Sequence, residues 1–174
     1  NNVEGFKSSY LERFPGYYFS GDGGFKDAEG FTYITGRVDD IINVAGHRLS
    51  TVEMEEVVAA HPDVAECAVI GADDSLKGQI PLALVVCHQT GRPFIEVAEE
   101  IVASVRSEIG AVAALKKVYQ VPRLPKTRSG KILRKLLRAI VNAEELKIPS
   151  TIDDPAIVEE INDIVHPSVK QITS

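Results

Sequence analysis

Two apolar runs constrain the fold of this 174-residue chain more than any other feature. Residues 64–71 have the sequence VAECAVIG and residues 80–87 have IPLALVVC, with the polar stretch ADDSLKGQ between them. Short apolar runs that are rich in Val and Ile and bounded by turn residues are typical of buried strands. The sequence therefore predicts two buried strands that bracket a polar loop.

Signals for helices and further strands alternate around these two runs. Ser50 and Glu53 form the Ser-x-x-Glu pattern of a capping box, which predicts a helix that ends near Ala60. Apolar residues at helical spacing predict a second helix over residues 93–109. The remaining predicted elements are strands over 41–44 and 117–121 and helices over 132–143 and 155–165. This alternation indicates a small α/β or α+β domain over about residues 40–150.

The first 37 residues form a different kind of segment, which is dense in glycine and aromatic residues. Within it, the sequence KDAEG separates two β-prone runs and predicts a β-hairpin. The segment has too few apolar residues to close a core alone, so we expect it to be the edge of a larger body. The chain also begins at Asn1, without an initiator Met or a signal-like apolar region, which predicts a fragment of a longer protein.

The distribution of charge bears on the class of partner. The net charge is −6, which disfavours a dedicated nucleic-acid binder, because such domains are usually basic as a whole. Nine of the 19 Lys and Arg residues nevertheless lie between Lys116 and Arg138, with no Asp or Glu among them. This basic stretch faces either an anion or plain water.

The cysteines and the apolar runs bear on the compartment. Cys67 and Cys87 each lie inside an apolar run, where a free cysteine behaves as a small buried hydrophobe. They predict no disulfide framework, so a reducing compartment fits. No apolar stretch reaches the roughly 18 residues of a membrane span, and none is predicted.

Several polar residues are candidates for a site, and each also has an ordinary structural interpretation. Lys131 follows Gly130 in the loop PKTRSGK, and it is either a solvated lysine or a point charge for a phosphate or carboxylate. Asp22, between two glycines, is either a turn residue or a carboxylate that accepts from sugar hydroxyls. Arg37 and Arg106, read alone, are surface cations.

Four long segments in fixed order carry more information than these single residues. They are GYYFSGDGG, YITGRVDDIINVAGHRLSTVEMEE, HPDVAECAVIGADDSLKGQIPLALVV and VRSEIGAVAALKKVYQVPRLPKTRSGKILRKLL. Together they resemble the C-terminal part of AMP-forming acyl-CoA synthetases, in the adenylate-forming superfamily. Of that family, the chain is most similar to the short-chain acetyl- and propionyl-CoA synthetases, and its tail IVNAEELKIPSTIDDPAIVEEI resembles the propionyl-type mitochondrial branch.

The resemblance implies a two-step reaction and a mobile domain. A carboxylate and ATP give an acyl-adenylate and pyrophosphate, and the thiol of CoA then displaces AMP. A small C-terminal lid domain of the α+β class, in which a short mixed sheet is flanked by helices, rotates on a large N-terminal body and uses one face for each half-reaction. The implied bounds are 1–37 for the end of the N-terminal body, 38–40 for the hinge, 41–150 for the mobile domain and 151–174 for a tail helix.

The resemblance also assigns roles to residues of this chain. Lys131 matches the catalytic lysine of the adenylation step, and Asp39 matches the hinge residue. The implied nucleotide contacts are Asp22, Arg37 and Arg48. The implied CoA contacts are Ala45 and Gly46, which border the pantetheine path, and Arg106, which contacts a CoA phosphate. A Mg²⁺ position maps onto His61 and the backbones of Ala59 and Val64, although His61 read alone is a helix-end residue.

The implied ligands are ATP or AMP, CoA, Mg²⁺ and a short-chain carboxylate, either propionate or acetate. The phosphate-binding loop and the acyl pocket belong to the missing N-terminal domain, so we expect the fragment alone to be inactive. The expected location is intracellular, in the mitochondrial matrix or the cytoplasm. Two alternatives stay open: a non-catalytic anion-docking module with the same fold, and a different adenylate-forming ligase.

Overall fold

The chain divides into two structural units, residues 1–41 and residues 42–174. The computed structural model describes residues 3–113 and 115–167, and the side chains of residues 35, 36 and 39 lie outside that description. The domain bounds implied by the family resemblance stay predictions.

The first unit consists of a helix and a β-hairpin. Its elements are α1 (Val3–Tyr10), β1 (Asp22–Lys26), β2 (Thr32–Arg37) and a 3-10 helix (Val38–Asp40). Asp27 closes the turn between the antiparallel strands, because its Oδ1 accepts from the amides of Glu29 at 3.0 Å and Phe31 at 2.9 Å. The hairpin predicted around KDAEG is therefore confirmed. Helix α1 was not predicted, and it has no buried residue in the described structure.

The second unit contains the main sheet and four helices. The elements are β3 (Ile41–Val44, which begins at the unit boundary), β4 (His47–Ser50), α2 (Thr51–Ala59), β5 (Val64–Asp74), β6 (Gly78–Cys87), α3 (Phe94–Glu108), β7 (Lys117–Gln120), α4 (Arg134–Val141) and α5 (Ile157–Val165). The predicted capping box is confirmed at its first half, since Ser50 Oγ accepts from the Glu53 amide at 3.3 Å. Strand β4 was missed.

The sheet is mixed, as predicted, with β6 as its best-connected strand. The strand order is β4-β3-β6-β5, and β7 pairs in parallel with β6 between Leu82 and Val85. Strands β5 and β6 form a long antiparallel hairpin that extends into the stretch predicted as a polar loop. The extension arises because Asp74 Oδ1 accepts from the amides of Leu76 at 3.0 Å and Lys77 at 2.8 Å, which closes a tight turn.

Helices cover both faces of the β5–β6 pair. Successive strand residues alternate between two apolar clusters, so Ile70 and Leu84 pack towards α4 and α5, whereas Val69 and Val85 pack towards α2 and α3. Burial of each large apolar side chain contributes about 1.5–3 kcal/mol, far more than an exposed ion pair. Burial on both faces explains why the two runs are apolar almost throughout.

An ionic cluster ties the end of α2 to α3. The Arg92 guanidinium donates to Asp63 at 2.8 Å and to Glu100 at 2.6 Å, and Glu100 also lies 2.8 Å from Nε2 of His61. The side chain of Asp63 is buried, whereas that of Glu100 is half exposed. The Arg92 guanidinium, and secondarily His61, lowers the pKa of Glu100 to about 2.

The β3–β4 turn gives a first prediction. Ala45 and Gly46 both have positive φ, 49° and 88°, as the central residues of a two-residue hairpin turn require. A Cβ at Gly46 meets open space, so Gly46→Ala adds only backbone strain and should lower the free energy of unfolding by about 1 kcal/mol. Ala45→Asn, which suits this backbone, should be neutral or stabilising. Urea unfolding followed by circular dichroism measures both, and equal midpoints for Gly46→Ala and wild type would contradict the turn assignment.

The ionic cluster gives a second prediction. Because the folded-state pKa of Glu100 is depressed, its ion pair stabilises the fold above the unfolded pKa of 4.5 and is lost as the pH falls towards about 2. Glu100→Gln should therefore lose less stability than wild type across this window. Glu99→Gln on the same helix is the matched control, since the Glu99 carboxylate has no ion pair in the described residues. The measurement is the free energy of unfolding as a function of pH. An equal loss of stability in wild type and both variants as the pH falls would contradict the assignment.

Candidate active site

Lys131 lies in a tight β-hairpin rather than at the start of a helix. The amide of Thr127 donates to the Lys131 carbonyl at 2.8 Å, and the amide of Gly130 donates to the Thr127 carbonyl at 2.8 Å. The Lys131 amide in turn donates to Oγ1 of Thr127 at 3.1 Å. Helix α4 begins only at Arg134, so the predicted helix 132–143 is too long at both ends.

The conformation of Gly130 explains why a glycine precedes this lysine. Gly130 has φ of +85°, in the left-handed region that side chains with a Cβ resist. The side chain of Lys131 is exposed, and within the described residues its ammonium has no hydrogen bond or ion pair. The hairpin thus fixes the backbone of Lys131 and leaves its charge available.

Part of the surrounding basic stretch is paired inside the domain. Four of its nine cations form ion pairs with carboxylates from other elements. These pairs are Arg123 with Asp154 and Glu160, Lys126 with Glu66, Arg134 with Glu55, and Arg138 with Asp73. The sequence left this stretch facing either an external anion or water, whereas these four cations have carboxylate partners within the domain.

Asp22 and Arg37 are brought together by the first hairpin. They lie opposite each other on β1 and β2, with Arg37 NH1 3.8 Å from Asp22 Oδ1. Arg37 NH1 also donates to the Ser20 carbonyl at 3.3 Å. Gly21 has φ of +82°, and a Cβ there would lie 2.8 Å from Arg37 NH2, so this position needs glycine. Both charged side chains are partly exposed, so this long ion pair contributes little stability.

The predicted hinge residue lies in the 3-10 helix between the hairpin and β3. The backbone of Asp39 belongs to Val38–Asp40, and its side chain lies outside the described part of the structure. The hinge role of Asp39 therefore stays a prediction.

The predicted CoA residues lie in a different layer from Lys131. Ala45 and Gly46 form the exposed β3–β4 turn, next to the α2–α3 apolar cluster. Arg106 is also exposed and lies in the last turn of α3, next to the same cluster. Arg48 is exposed on β4, and the next residue of that strand, Leu49, is buried in the same cluster. By contrast, Ile132, which follows Lys131, packs against the α4–α5 cluster.

The ring of His61 does not fit the role of a metal ligand. Its Nδ1 accepts from the Asp63 amide at 3.2 Å, so Nε2 carries the proton that it donates to Glu100. The carbonyl of His61 accepts from the Val64 amide at 3.0 Å, and Ala59 is the last residue of α2. The described residues contain no group of three or more His, Cys, Asp or Glu side chains that could hold a metal.

Sequence reasoning missed the acidic partners beside the Lys131 hairpin. A shallow groove of about 430 Å³ separates the hairpin from α2, and the residues that line it include Glu55, Glu66 and Gly130. Glu55 accepts from the Val69 amide at 2.9 Å and from Arg134, which locks α2 to β5 and α4. Cys67 also lines this groove, where burial raises the pKa of its thiol to about 11 and keeps it unreactive. The excess of glutamate in the sequence of α2 was the signal that could have indicated these acidic partners.

Comparison with known proteins identifies the family of this domain. Residues 53–131 match the AMP-binding enzyme C-terminal domain. The chain is 51% identical over 162 residues to the mitochondrial acyl-CoA synthetase short-chain family member B of Dictyostelium discoideum, which covers 92% of this chain and 24% of the relative. It is 51% identical over 165 residues to the human mitochondrial acyl-CoA synthetase short-chain family member 3, which covers 94% of this chain and 24% of the relative.

Solved structures agree with this assignment. The crystal structure of ATP-bound MatB from Rhodopseudomonas palustris is similar, with a TM-score of 0.63 and 27% identity, over 80% of this chain and 27% of that chain. The present chain spans about a quarter of the length of the curated relatives it matches. None of the described helices has the length and apolar character needed to cross a membrane. Residues 53–131 therefore belong to the AMP-binding enzyme C-terminal domain family, and the chain that contains them is homologous to short-chain acyl-CoA synthetases.

Proposed function

We propose that this chain is the mobile C-terminal part of an AMP-forming short-chain acyl-CoA synthetase. The full-length enzyme would convert propionate or acetate and ATP into an acyl-adenylate and pyrophosphate, and would then transfer the acyl group to CoA. The observation that carries the proposal is the exposed ammonium of Lys131, which has no ion-pair or hydrogen-bond partner among the described residues. It lies on a hairpin closed by 2.8 Å hydrogen bonds, at the end of the family match.

Lys131 is the proposed catalytic residue of the adenylation step. Attack of the carboxylate on the α-phosphate of ATP concentrates negative charge on the oxygens around phosphorus. A lysine ammonium is a compact point charge that stabilises such oxygens, provided that no internal carboxylate already neutralises it. Among the cations of its hairpin, Lys131 meets this condition and Lys126, paired with Glu66 at 2.7 Å, does not.

Asp22, Arg37 and Arg48 are the proposed nucleotide contacts. A carboxylate accepts well from two neighbouring hydroxyls, so Asp22 would hold the ribose, with Arg37 directly opposite on the hairpin. The contact between their charged atoms is long, at 3.8 Å, so Asp22 loses little stability when it accepts from a ligand instead. Asp39, between this hairpin and the second unit, is the proposed hinge.

The second half-reaction would use the other layer of the domain. The β3–β4 turn at Ala45 and Gly46 would border the path of the pantetheine chain, where the open space beside Gly46 prevents obstruction. Arg106, exposed at the end of α3, would contact a CoA phosphate. Mg²⁺ stays a predicted cofactor of the ATP, and no step proposed here passes through it, because the His61 ring is already committed to protein partners.

The proposal also implies partners and a location. Since the chain spans 24% of its relatives' length, the phosphate loop and acyl pocket would lie on a larger N-terminal domain. The relatives named above are described as mitochondrial, and we propose a mitochondrial matrix or cytoplasmic location on that basis.

The two alternatives are less well supported. A docking module needs free basic charge, whereas four cations of the basic stretch are already paired with carboxylates of the same domain. A different adenylate-forming ligase fits the fold equally well, but it does not explain 51% identity to short-chain acyl-CoA synthetases over most of the chain.

Lys131→Ala in the full-length enzyme tests the proposal. We expect acid-dependent ATP–pyrophosphate exchange to fall by about 10²–10³-fold, because one preorganised charge is removed from the transition state. Thioester formation from preformed acyl-adenylate should be retained. Comparing propionate with acetate in the same assay identifies the preferred acid.

Arg128→Ala is the matched control for Lys131→Ala. Arg128 is an exposed cation of the same hairpin, and its side chain has no hydrogen bond or ion pair within the described residues. Exchange should stay near the wild-type rate in this variant. Equal, modest losses in both variants, growing with added salt, would contradict the catalytic role and favour the docking module.

A further inference from the structure

The Lys131 hairpin is part of a short arrangement of three β-bridged segments, joined by isolated bridges between Lys126 and Ile132 and between Thr127 and Ile152. Residues 125–128 form its middle strand, and residues 131–133 pair with them on one side, where the Leu133 amide donates to the Pro125 carbonyl at 2.8 Å. Residues 151–153 pair on the other side. There the Asp153 amide donates to the Lys126 carbonyl at 2.9 Å and the Arg128 amide donates to the Thr151 carbonyl at 3.1 Å.

This third strand is anchored independently of the hairpin. Ile152 is buried in the α4–α5 cluster, and so are Ile157 and Ile161 of the helix that follows. Arg123, which precedes the middle strand, donates to Asp154 at 2.6 Å and to Glu160 at 2.8 Å, and so clamps both ends of the connection into α5. The strand is therefore held by the core and by an ion-pair clamp.

The third strand also lies outside the part of the chain that defines the family. The family match ends at residue 131, whereas residues 151–153 follow α4. A two-stranded hairpin is only marginally stable in water, and a third strand with an apolar anchor supplies the missing support. Without residues 151–153, the middle strand would lose its hydrogen bonds on that side.

We propose that residues 151–153, held by the Arg123–Asp154–Glu160 clamp, are a positioning element for Lys131. The strand fixes the backbone on which the ammonium is carried, so that the charge is preorganised for the adenylation step. This inference rests on the function proposed above. Asp153 supplies the key backbone donor, and this positioning role requires no contact between Asp153 and substrate.

Two substitutions at Asp153 isolate the backbone hydrogen bond. Asp153→Pro removes the amide that donates to Lys126, whereas Asp153→Ala removes only the carboxylate and keeps that donor. In this chain, we expect amide hydrogen exchange at Thr127 and Leu133 to become about tenfold faster in Asp153→Pro and to stay unchanged in Asp153→Ala. Exchange in β5 and β6 should be the same in all three proteins.

The same pair in the full-length enzyme measures the consequence for catalysis. We expect Asp153→Pro to lower kcat for ATP–pyrophosphate exchange by about tenfold, while KM for ATP and thioester formation from preformed acyl-adenylate remain as in wild type. Asp154→Asn combined with Glu160→Gln releases the clamp on the half-exposed surface and should act in the same direction, which keeps the test decisive should Asp153→Pro not fold.

The outcomes separate this inference from the proposed function. Unchanged exchange at Thr127 and Leu133, or unchanged adenylation kcat in variants whose hairpin has loosened, would overturn the positioning role even when Lys131→Ala abolishes adenylation. Retained adenylation in Lys131→Ala would instead overturn the proposed function, while the amide exchange data would still decide whether residues 151–153 brace the hairpin.

Discussion

The antiparallel pairing of β5 and β6 is the interaction on which the rest of the second unit depends. The two strands are joined by a tight turn at Asp74, and each sends alternate side chains into two apolar clusters. Because both faces are buried, helices must cover both, and the later parts of the chain are placed in one layer or the other. No other pair of elements contributes residues to both clusters over such a length of the described chain.

This layering separates the residues assigned to the two half-reactions. The β3–β4 turn at Gly46 and the end of α3 at Arg106 belong to the α2–α3 layer, whereas the Lys131 hairpin is packed through Ile132 and Ile152 onto the α4–α5 layer. A domain built in this way can present either layer by turning as a rigid body. The sheet lies between the two layers, and the ion pair of Glu55 on α2 with Arg134 on α4 links them at one point.

The sequence was sufficient for the parts of the fold that depend on local signals. The apolar runs, the Ser50 cap and the hairpin at Asp27 were all recognisable, since each involves residues close in the chain. The resemblance supplied the site residues, because no spacing rule links Asp22 to Lys131. The carboxylate partners of the basic residues could not be predicted from the sequence, because they are distant along the chain. Glu55 lies 79 residues from Arg134, and Glu160 lies 37 residues from Arg123. Such pairs form only once the helices are packed, so the sequence alone did not show that four of the nine basic residues have carboxylate partners inside the domain.

The most direct test is a crystal structure of the full-length enzyme with a non-hydrolysable acyl-adenylate bound in the adenylation pose. The measurement is the distance from Nζ of Lys131 to the nearest carboxyl or α-phosphate oxygen. The account predicts about 3 Å, with the hydrogen bond from Asp153 to Lys126 intact and Asp22 on the ribose. Another cation in contact with those oxygens, or Lys131 in solvent with its hairpin opened, would contradict it.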